Sequence, residues 1–328
     1  MANCHQCGHS NPANAKFCSN CGTPLQARIF GNARTVARWG SRLAPVSNWL
    51  MNAAAVRALG EWLLGLDRRR RLPVFQRRTL AHRAPRPDGP LDAILFNDTF
   101  TNHYDPDVGV AAIDVLAAAG IRVGLAPHGC CGRPQISKGL LADARALARA
   151  NTEALYPHAA EGRKIVFCEP SCLSALREDL PALVSGEERR RALVVARSAV
   201  LFEELLDTVG DRLRLGPGPA RILLHGHCHQ KAMGLSAPAR SLLSRIPGSV
   251  VVELDAGCCG MAGSFGYTTD HFDVSRQMAE RRLLPAVRSR RPDDVVVAAG
   301  TSCRHQVKDL TGDEAVHPAV LLRRLLHP

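Results

Sequence analysis

An α/β fold, built as two pseudo-repeated cysteine-rich α/β subdomains with parallel sheets, is predicted for this 328-residue chain on three observations. The tetrapeptide Gly129-Cys130-Cys131-Gly132 returns 128 residues later as Gly257-Cys258-Cys259-Gly260. Its flanks return with it. Ala93-Ile-Leu-Phe96 lies at the offset of Arg221-Ile-Leu-Leu224, and Lys164–Phe167 with Pro170-Ser171-Cys172 answers Val295–Ala298 with Thr301-Ser302-Cys303, at a spacing three residues longer. Third, short apolar runs alternate with helical patterns in both copies, which implies parallel strands joined by right-handed crossovers. A repeat of this kind fixes the architecture before any single element is considered.

Residues 1–26 hold Cys4-His-Gln-Cys7-Gly8 and Cys18-Ser-Asn-Cys21-Gly22, two Cys-x2-Cys-Gly knuckles ten residues apart. Each knuckle brings two thiolates to one ion, so Cys4, Cys7, Cys18 and Cys21 fit a small tetrahedral zinc ribbon. So short a segment draws its folding energy from the metal rather than from a core. A closed structural zinc site is expected, and a redox iron in the same four thiolates is the alternative.

Residues 27–90 read as a basic amphipathic helical linker. Arg34, Arg38, Arg42 and Arg57 interleave with Val36, Trp39, Leu43, Val46, Trp49, Leu50, Leu59, Trp62 and Leu63 at helical spacing, broken near Pro45. Arg68-Arg-Arg-Arg71 leads to a proline-bearing boundary at Arg83–Pro90. The expectation is that the apolar side packs on the body while the arginines are solvated. The alternative is a Trp-anchored helix lying on an anionic membrane surface.

The body divides into a first repeat over 91–218 and a second over 219–328. Strands are expected near 92–96, 121–125 and 164–167, and near 221–225, 250–254 and 295–299. Helices are expected over Val108–Ala119, Leu140–Tyr156, Glu187–Val209 and Asp270–Val287. The cysteines then fall just past the carboxyl ends of strands, where open α/β sheets bind their ligands. In the second repeat the candidates are Cys228, Cys258, Cys259 and Cys303. Adjacent cysteines suit a single tetrahedral ion poorly, because neighbouring side chains diverge. They suit a [4Fe–4S] cluster, which takes four thiolates on different irons. His225, His227 and His229 flank Cys228 as groups that tune the site; ordinary loop histidines are the alternative. The first repeat carries Phe100 where the second has Cys228, so Cys168 is the candidate replacement in a second quartet of Cys130, Cys131, Cys168 and Cys172. That quartet holds a second cluster or metal; buried thiols or a redox disulfide are the alternative.

Composition sets the frame. With 46% hydrophobic residues the chain can bury a substantial core. Twelve cysteines without a visible secretory signal point to reduced, metal-binding thiols and a cytoplasmic setting. No apolar stretch reaches the roughly 20 residues of a membrane span. The net charge of +12 is concentrated: residues 1–90 contribute +11 and the remainder +1. A uniformly basic nucleic-acid binder is therefore a poor description, and no nucleic-acid module accompanies the charge.

The doubled Cys-Cys-Gly with a following Ser-Cys resembles the cysteine-rich domain that recurs in subunits of heterodisulfide reductase and of anaerobic glycerol-3-phosphate dehydrogenase, and in glycolate oxidase iron–sulfur subunits. Leu95–Asn102, Cys130–Pro134, Glu169–Leu173, His227–Lys231, Cys258–Gly266 and Thr301–Gln306 are similar to the C-terminal part of FAD-linked D-lactate-type dehydrogenases, a likeness covering roughly residues 30–328. The resemblance implies electron transfer: a flavoprotein oxidises a small 2-hydroxy acid, and iron–sulfur centres relay the electrons. No Gly-x-Gly-x-x-Gly follows a strand here, so the chain offers no flavin or nicotinamide site of its own. The ferredoxin-like cysteine runs that precede this region in the family are also missing from the sequence, and the two-knuckle ribbon stands in their place.

The expectation is an iron–sulfur subunit of an oxidoreductase, with one [4Fe–4S] cluster, or two if the other quartet also holds one, plus zinc. An FAD-dependent dehydrogenase of lactate or glycolate type is the expected partner. The Trp-rich segment offers contact with the inner membrane face or a quinone-side acceptor. The alternatives are a heterodisulfide-reductase-like thiol/disulfide enzyme, and a zinc-ribbon interaction protein with a degenerate body.

Overall fold

The computed structural model describes residues 2–3, 10–11, 27–126 and 129–327. Strands β1 (Ala2–Asn3) and β2 (Ser10–Asn11) pair antiparallel, Ala2 opposite Asn11. Cys4, Cys7, Cys18 and Cys21 lie outside the described residues.

Two four-stranded sheets follow, with the same strand order. The first repeat contributes β3 (Ala93–Leu95), β4 (Val123–Leu125), β5 (Lys164–Phe167) and β6 (Ala199–Leu201), arranged β4-β3-β5-β6. The second contributes β7 (Arg221–Leu224), β8 (Val250–Glu253), β9 (Val295–Val297) and β10 (Ala315–Val316), arranged β8-β7-β9-β10. Every pairing in both is parallel. Each repeat thus runs second, first, third, fourth strand across its sheet.

The six expected strands are all present. The fourth strand of each sheet is an addition, and β6 corrects the single helix expected over Glu187–Val209. There the chain forms a helix over Gly186–Ser198, the strand β6, and a second helix over Phe202–Asp207. The break is packing-driven: Ala199, Val200 and Leu201 are all buried beside β5. The helix expected over Asp270–Val287 is likewise two, Phe272–Glu280 and Leu283–Arg288.

The repeats share a core. Side chains on one face of the first sheet, including Leu95 and Val166, cluster with Ile222, Leu224 and Val297 of the second. The helices Pro106–Ala118 and Pro318–Leu325 pack into the same cluster through Val108, Ala112, Val115, Ala319 and Leu322. The opposite face of each sheet builds its own smaller core, around Phe96 and Phe167 in one repeat and Leu223 and Val296 in the other. Alternation along each strand produces this division, since successive side chains point to opposite faces.

The basic segment binds both repeats, though not through the side expected. Helix Ala33–Arg42 buries its small residues Ala37, Gly40 and Ser41, and Gly40 lets the Phe75 ring lie against the helix backbone. Asn48 fixes Phe75 by two backbone bonds, accepting from its N–H at 2.8 Å and donating to its carbonyl at 2.9 Å. The tryptophans stay outside: Trp39, Trp49 and Trp62 are 54%, 72% and 77% exposed. The expectation that the apolar stripe packs on the body is corrected, because close approach selects the small residues and leaves the large ones facing water. Among the described residues no helix is long and apolar enough to cross a membrane.

Further along, the arginine run becomes a strap on the second repeat. Arg70 is almost fully buried. Its Nε donates to the Gly266 carbonyl at 2.7 Å, Nη2 to Ser275 Oγ at 2.9 Å, and Nη1 to Asp309 Oδ2 at 2.9 Å. Its neighbour Arg69 pairs with Asp67 and Asp273. One arginine of the four is thus a structural peg behind the loop that follows Cys259.

Candidate metal centre

The eight cysteines of the body sit at the carboxyl ends of β4, β5, β7, β8 and β9, the positions the repeat predicts. In the second repeat the structure brings together Cys228, Cys258, Cys259 and Cys303. Cys228 opens the helix Cys228–Ala232, and Cys303 lies in the first turn of Thr301–Thr311. Both therefore sit where helix-end N–H groups favour a thiolate. Cys258 contacts Cys228 on one side and Cys259 on the other, and Cys259 contacts Cys303. The four thiols form one continuous row, with Cys228 and Cys258 partly exposed and Cys259 and Cys303 buried.

The row shares its protons unequally. Hydrogen bonds from Cys228 and Cys259 hold the Cys258 thiol well below its ordinary range. Cys259 does the same for Cys303, with His225 and His227 adding to the effect against the penalty of burial. Cys228 and Cys259 are pushed up in turn by the thiolates beside them. Four thiolates cannot all ionise so close together without a cation among them. A metal centre would supply that cation, displacing the remaining protons.

The surroundings fit a bulky cluster. His225 is 1% exposed and its ring lies against Cys303, whose thiol it helps to hold low, while neither ring nitrogen reaches a nitrogen or oxygen partner. A buried imidazole with only a thiol beside it keeps hydrogen-bonding capacity that an acceptor such as a cluster sulfide would take up. Gly260 holds φ +88°, and a Cβ there would collide with the Ser275 carbonyl, whereas a Cβ on Gly257 would meet open space. The Gly260 N–H points at Cys258 Sγ, 3.4 Å away. Among the described residues, no three His, Cys, Asp or Glu side chains are grouped as ligands of a single metal ion.

The first repeat is built differently. Cys131 and Cys172 touch, Sγ to Sγ 3.0 Å, and Cys130 lies beside Cys131 with its thiol pushed up to about 11 by burial and by that neighbour. Cys168 stands apart. It continues the face of Val166 into the core shared by the repeats, while Cys172 lies with Phe167 on the other side. Ionisable groups lie near it, namely Asp98, Glu203, Arg304 and Glu169. In place of a first cysteine, Asp98 caps the helix Thr99–His103, accepting from the N–H groups of Phe100 and Thr101.

Glu169 joins the two centres. It is buried and caps the helix Pro170–Ser174 of the first repeat, accepting from Ser171 Oγ at 2.9 Å. Its other oxygen accepts from the Thr301 N–H at 2.8 Å, at the start of the helix that carries Cys303. Burial alone raises its pKa, but His227, the Thr301 N–H and Arg304 together hold the carboxyl below the usual range. His227 Nδ1 accepts from the His229 N–H, so a neutral ring carries its proton on Nε2, 3.9 Å from Glu169. His229 reaches across to Ser174 Oγ at 2.9 Å. Nearby, burial pushes the unpartnered Glu203 carboxyl up to about 8, so it holds a proton at neutral pH. The three histidines expected to flank Cys228 thus fall into distinct places. Glu169, Glu203 and Arg304 join them, although no metal-ligand spacing marks these three in the sequence.

A parallel α/β repeat that gathers thiols beyond its strand ends defines a metal-binding cysteine-rich module. The chain belongs to the cysteine-rich domain family, with Cys-Cys-Gly motifs, whose model matches residues 98–177 and 222–308. A zinc-ribbon domain model matches residues 3–25. The chain is 29% identical over 294 residues to one subunit of the anaerobic glycerol-3-phosphate dehydrogenase of Escherichia coli strain K12, covering 86% of this chain and 72% of that one. It is 28% identical over 228 residues to D-2-hydroxyglutarate dehydrogenase of Pseudomonas putida, covering 69% of this chain but 21% of that much longer protein. Over 207 residues it is 28% identical to one subunit of the dihydromethanophenazine:CoB–CoM heterodisulfide reductase of Methanosarcina acetivorans, covering 59% and 48% of the two chains. The family is iron–sulfur and oxidoreductase in character, and electron transfer is the role that these relatives support.

Proposed function

We propose that this chain is an iron–sulfur electron-transfer subunit working with an FAD-dependent dehydrogenase of a small 2-hydroxy acid. The observation that carries the reading is the continuous thiol row of the second repeat. Cys228, Cys258, Cys259 and Cys303 would hold a [4Fe–4S] cluster, which when bound takes up and releases one electron at a time. The chain's own residues position and insulate it. His225 and the Gly260 N–H offer donors, Arg70 pegs the loop, and Glu169 fixes the helix of Cys303 against the first repeat. Cys4, Cys7, Cys18 and Cys21 would hold structural zinc.

Cys131 and Cys172 favour a second reading of the first repeat, as a dithiol that forms a disulfide by releasing two protons and two electrons. Anaerobic titration with dithionite separates the two. A visible band bleached by about one electron per cluster and restored by ferricyanide is the expected result. Uptake of two electrons with no visible change would place the redox chemistry at the dithiol instead.

The exposed tryptophans, with Arg42 stacked over Trp39 and Arg38 next to it in sequence, support a peripheral position on an anionic, cytoplasm-facing membrane surface. Sedimentation with phosphatidylglycerol vesicles, weakened by Trp49→Ala with Trp62→Ala, is the expected result. Equal sedimentation of the variant would overturn it.

A further inference from the structure

The basic segment does more than cover the first repeat. Between helix Ala33–Arg42 and the stretch 77–82 lies a cleft of about 460 Å³, floored by Asn97 and Gly129, the residue before Cys130. Arg34, Arg38, Arg42 and Arg77 all line it, and no acidic residue does. None of these four arginines forms an ion pair among the described residues. Three of them project from one helix at positions i, i+4 and i+8, which lie on the same face. Like charges gathered in one concave wall repel one another, and solvent alone offsets that less well in a cleft than on an open surface.

The polar lining is also arranged to donate. The Ala81 N–H bonds Asn102 Oδ1 at 3.0 Å, which leaves the Asn102 amide nitrogen to donate to His103 Nε2 at 3.1 Å. Burial keeps His103 neutral, lowering its pKa to about 4. With Nε2 accepting, the ring carries its proton on Nδ1 and donates it to Ser41 Oγ at 2.9 Å. The Ser41 hydroxyl proton is then free for the cleft. At the floor, Asn97 is only 8% exposed, and its Oδ1 has no partner. Because the two ends of a side-chain amide exchange by a flip, either can turn to meet a ligand. Gly129 keeps the floor open, since a Cβ there would press on the Asn97 carbonyl at 2.8 Å.

We propose that this cleft is a binding site for a small multivalent anion, a phosphate ester or a dicarboxylate, held by Arg34, Arg38, Arg42 and Arg77 with Ser41 and Asn97 at its base. Guanidinium forks match both oxyanion types bidentately. The volume suits a small molecule rather than a polymer. The cleft would hold such an anion whether or not Cys130 carries metal. When it does so, the bound charge lies beside the cysteine pair of the first repeat, so occupancy of the cleft and the state of Cys130 are coupled.

Calorimetric titration of the full chain at constant ionic strength, with inorganic pyrophosphate and separately with malonate, tests this. Saturable binding at one site is expected. The tighter of the two probes identifies the oxyanion class. Arg34→Gln and the exposed Arg77→Gln should each weaken it at least tenfold without changing the thermal midpoint, and Arg324→Gln, outside the cleft, should bind as the parent does. Absence of saturable heat with both probes, or equal affinity in the parent and both cleft variants, would overturn the proposal.

Discussion

Cys303→Ser is expected to strip the chain of iron and of its visible absorbance, while Cys168→Ala leaves both unchanged. The two cysteines are equally buried and each lies just beyond a strand, so burial does not separate them. Their faces do. Cys303 ends the row that runs through Cys259 and Cys258 to Cys228, whereas Cys168 points into the shared core among Asp98, Glu203 and Glu169. A serine oxygen in place of the Cys303 sulfur is a harder, more basic donor, and a cluster held by three thiolates is labile. Iron per chain, measured on both variants after anaerobic purification, checks the contrast. Loss of iron in Cys168→Ala would show that the first repeat recruits that residue by rearranging β5.

Glu169→Ala is expected to cost about 3 kcal/mol, the scale for removing a charged acceptor that leaves a buried donor unpaired. The Thr301 N–H loses its partner, and the helix bearing Cys303 loses its tie to the first repeat. Glu169→Gln keeps one acceptor and should cost roughly half as much. The charge also sets a pH dependence. The folded carboxyl is held below its unfolded value, so its stabilisation is present above the unfolded pKa of about 4.3 and fades as pH falls through the folded one. Urea unfolding of the parent and Glu169→Gln at pH 7 and pH 4 tests this. The gap between them should narrow at the lower pH, and a constant gap would mean that the carboxylate's charge contributes nothing.

Much of this arrangement is legible in the sequence. The first three strands of each sheet announce themselves as apolar runs between helical patterns, and the repeat, 128 residues apart for the first two pairs, aligns them in two equivalent sheets. The gathering of Cys228, Cys258, Cys259 and Cys303 follows, because each falls past a strand end. What the sequence conceals is short, small or charged. β10 has two residues, too few for a period to show, and β6, although as long as β3, β4 and β9, lies between two helices inside one continuous helical pattern. Ala37 and Gly40 bury a helix face that the pattern alone assigns to the tryptophans, since packing distance outweighs hydrophobicity there. Arg70 and Glu169 read as surface residues by charge, and only their tertiary partners reveal that both are pegs. Cys168 and Cys172 look like one ligand pair by spacing, yet strand alternation sends Cys168 to the opposite face of the sheet.

The central claim is that the thiol row of the second repeat holds an iron–sulfur cluster. Iron, acid-labile sulfide and zinc per chain, determined with the visible spectrum on anaerobically purified protein, test it most directly. About four irons and four sulfides in a brown protein, with about one zinc from the ribbon, is the predicted result. Zinc alone in a colourless, redox-silent protein would contradict it.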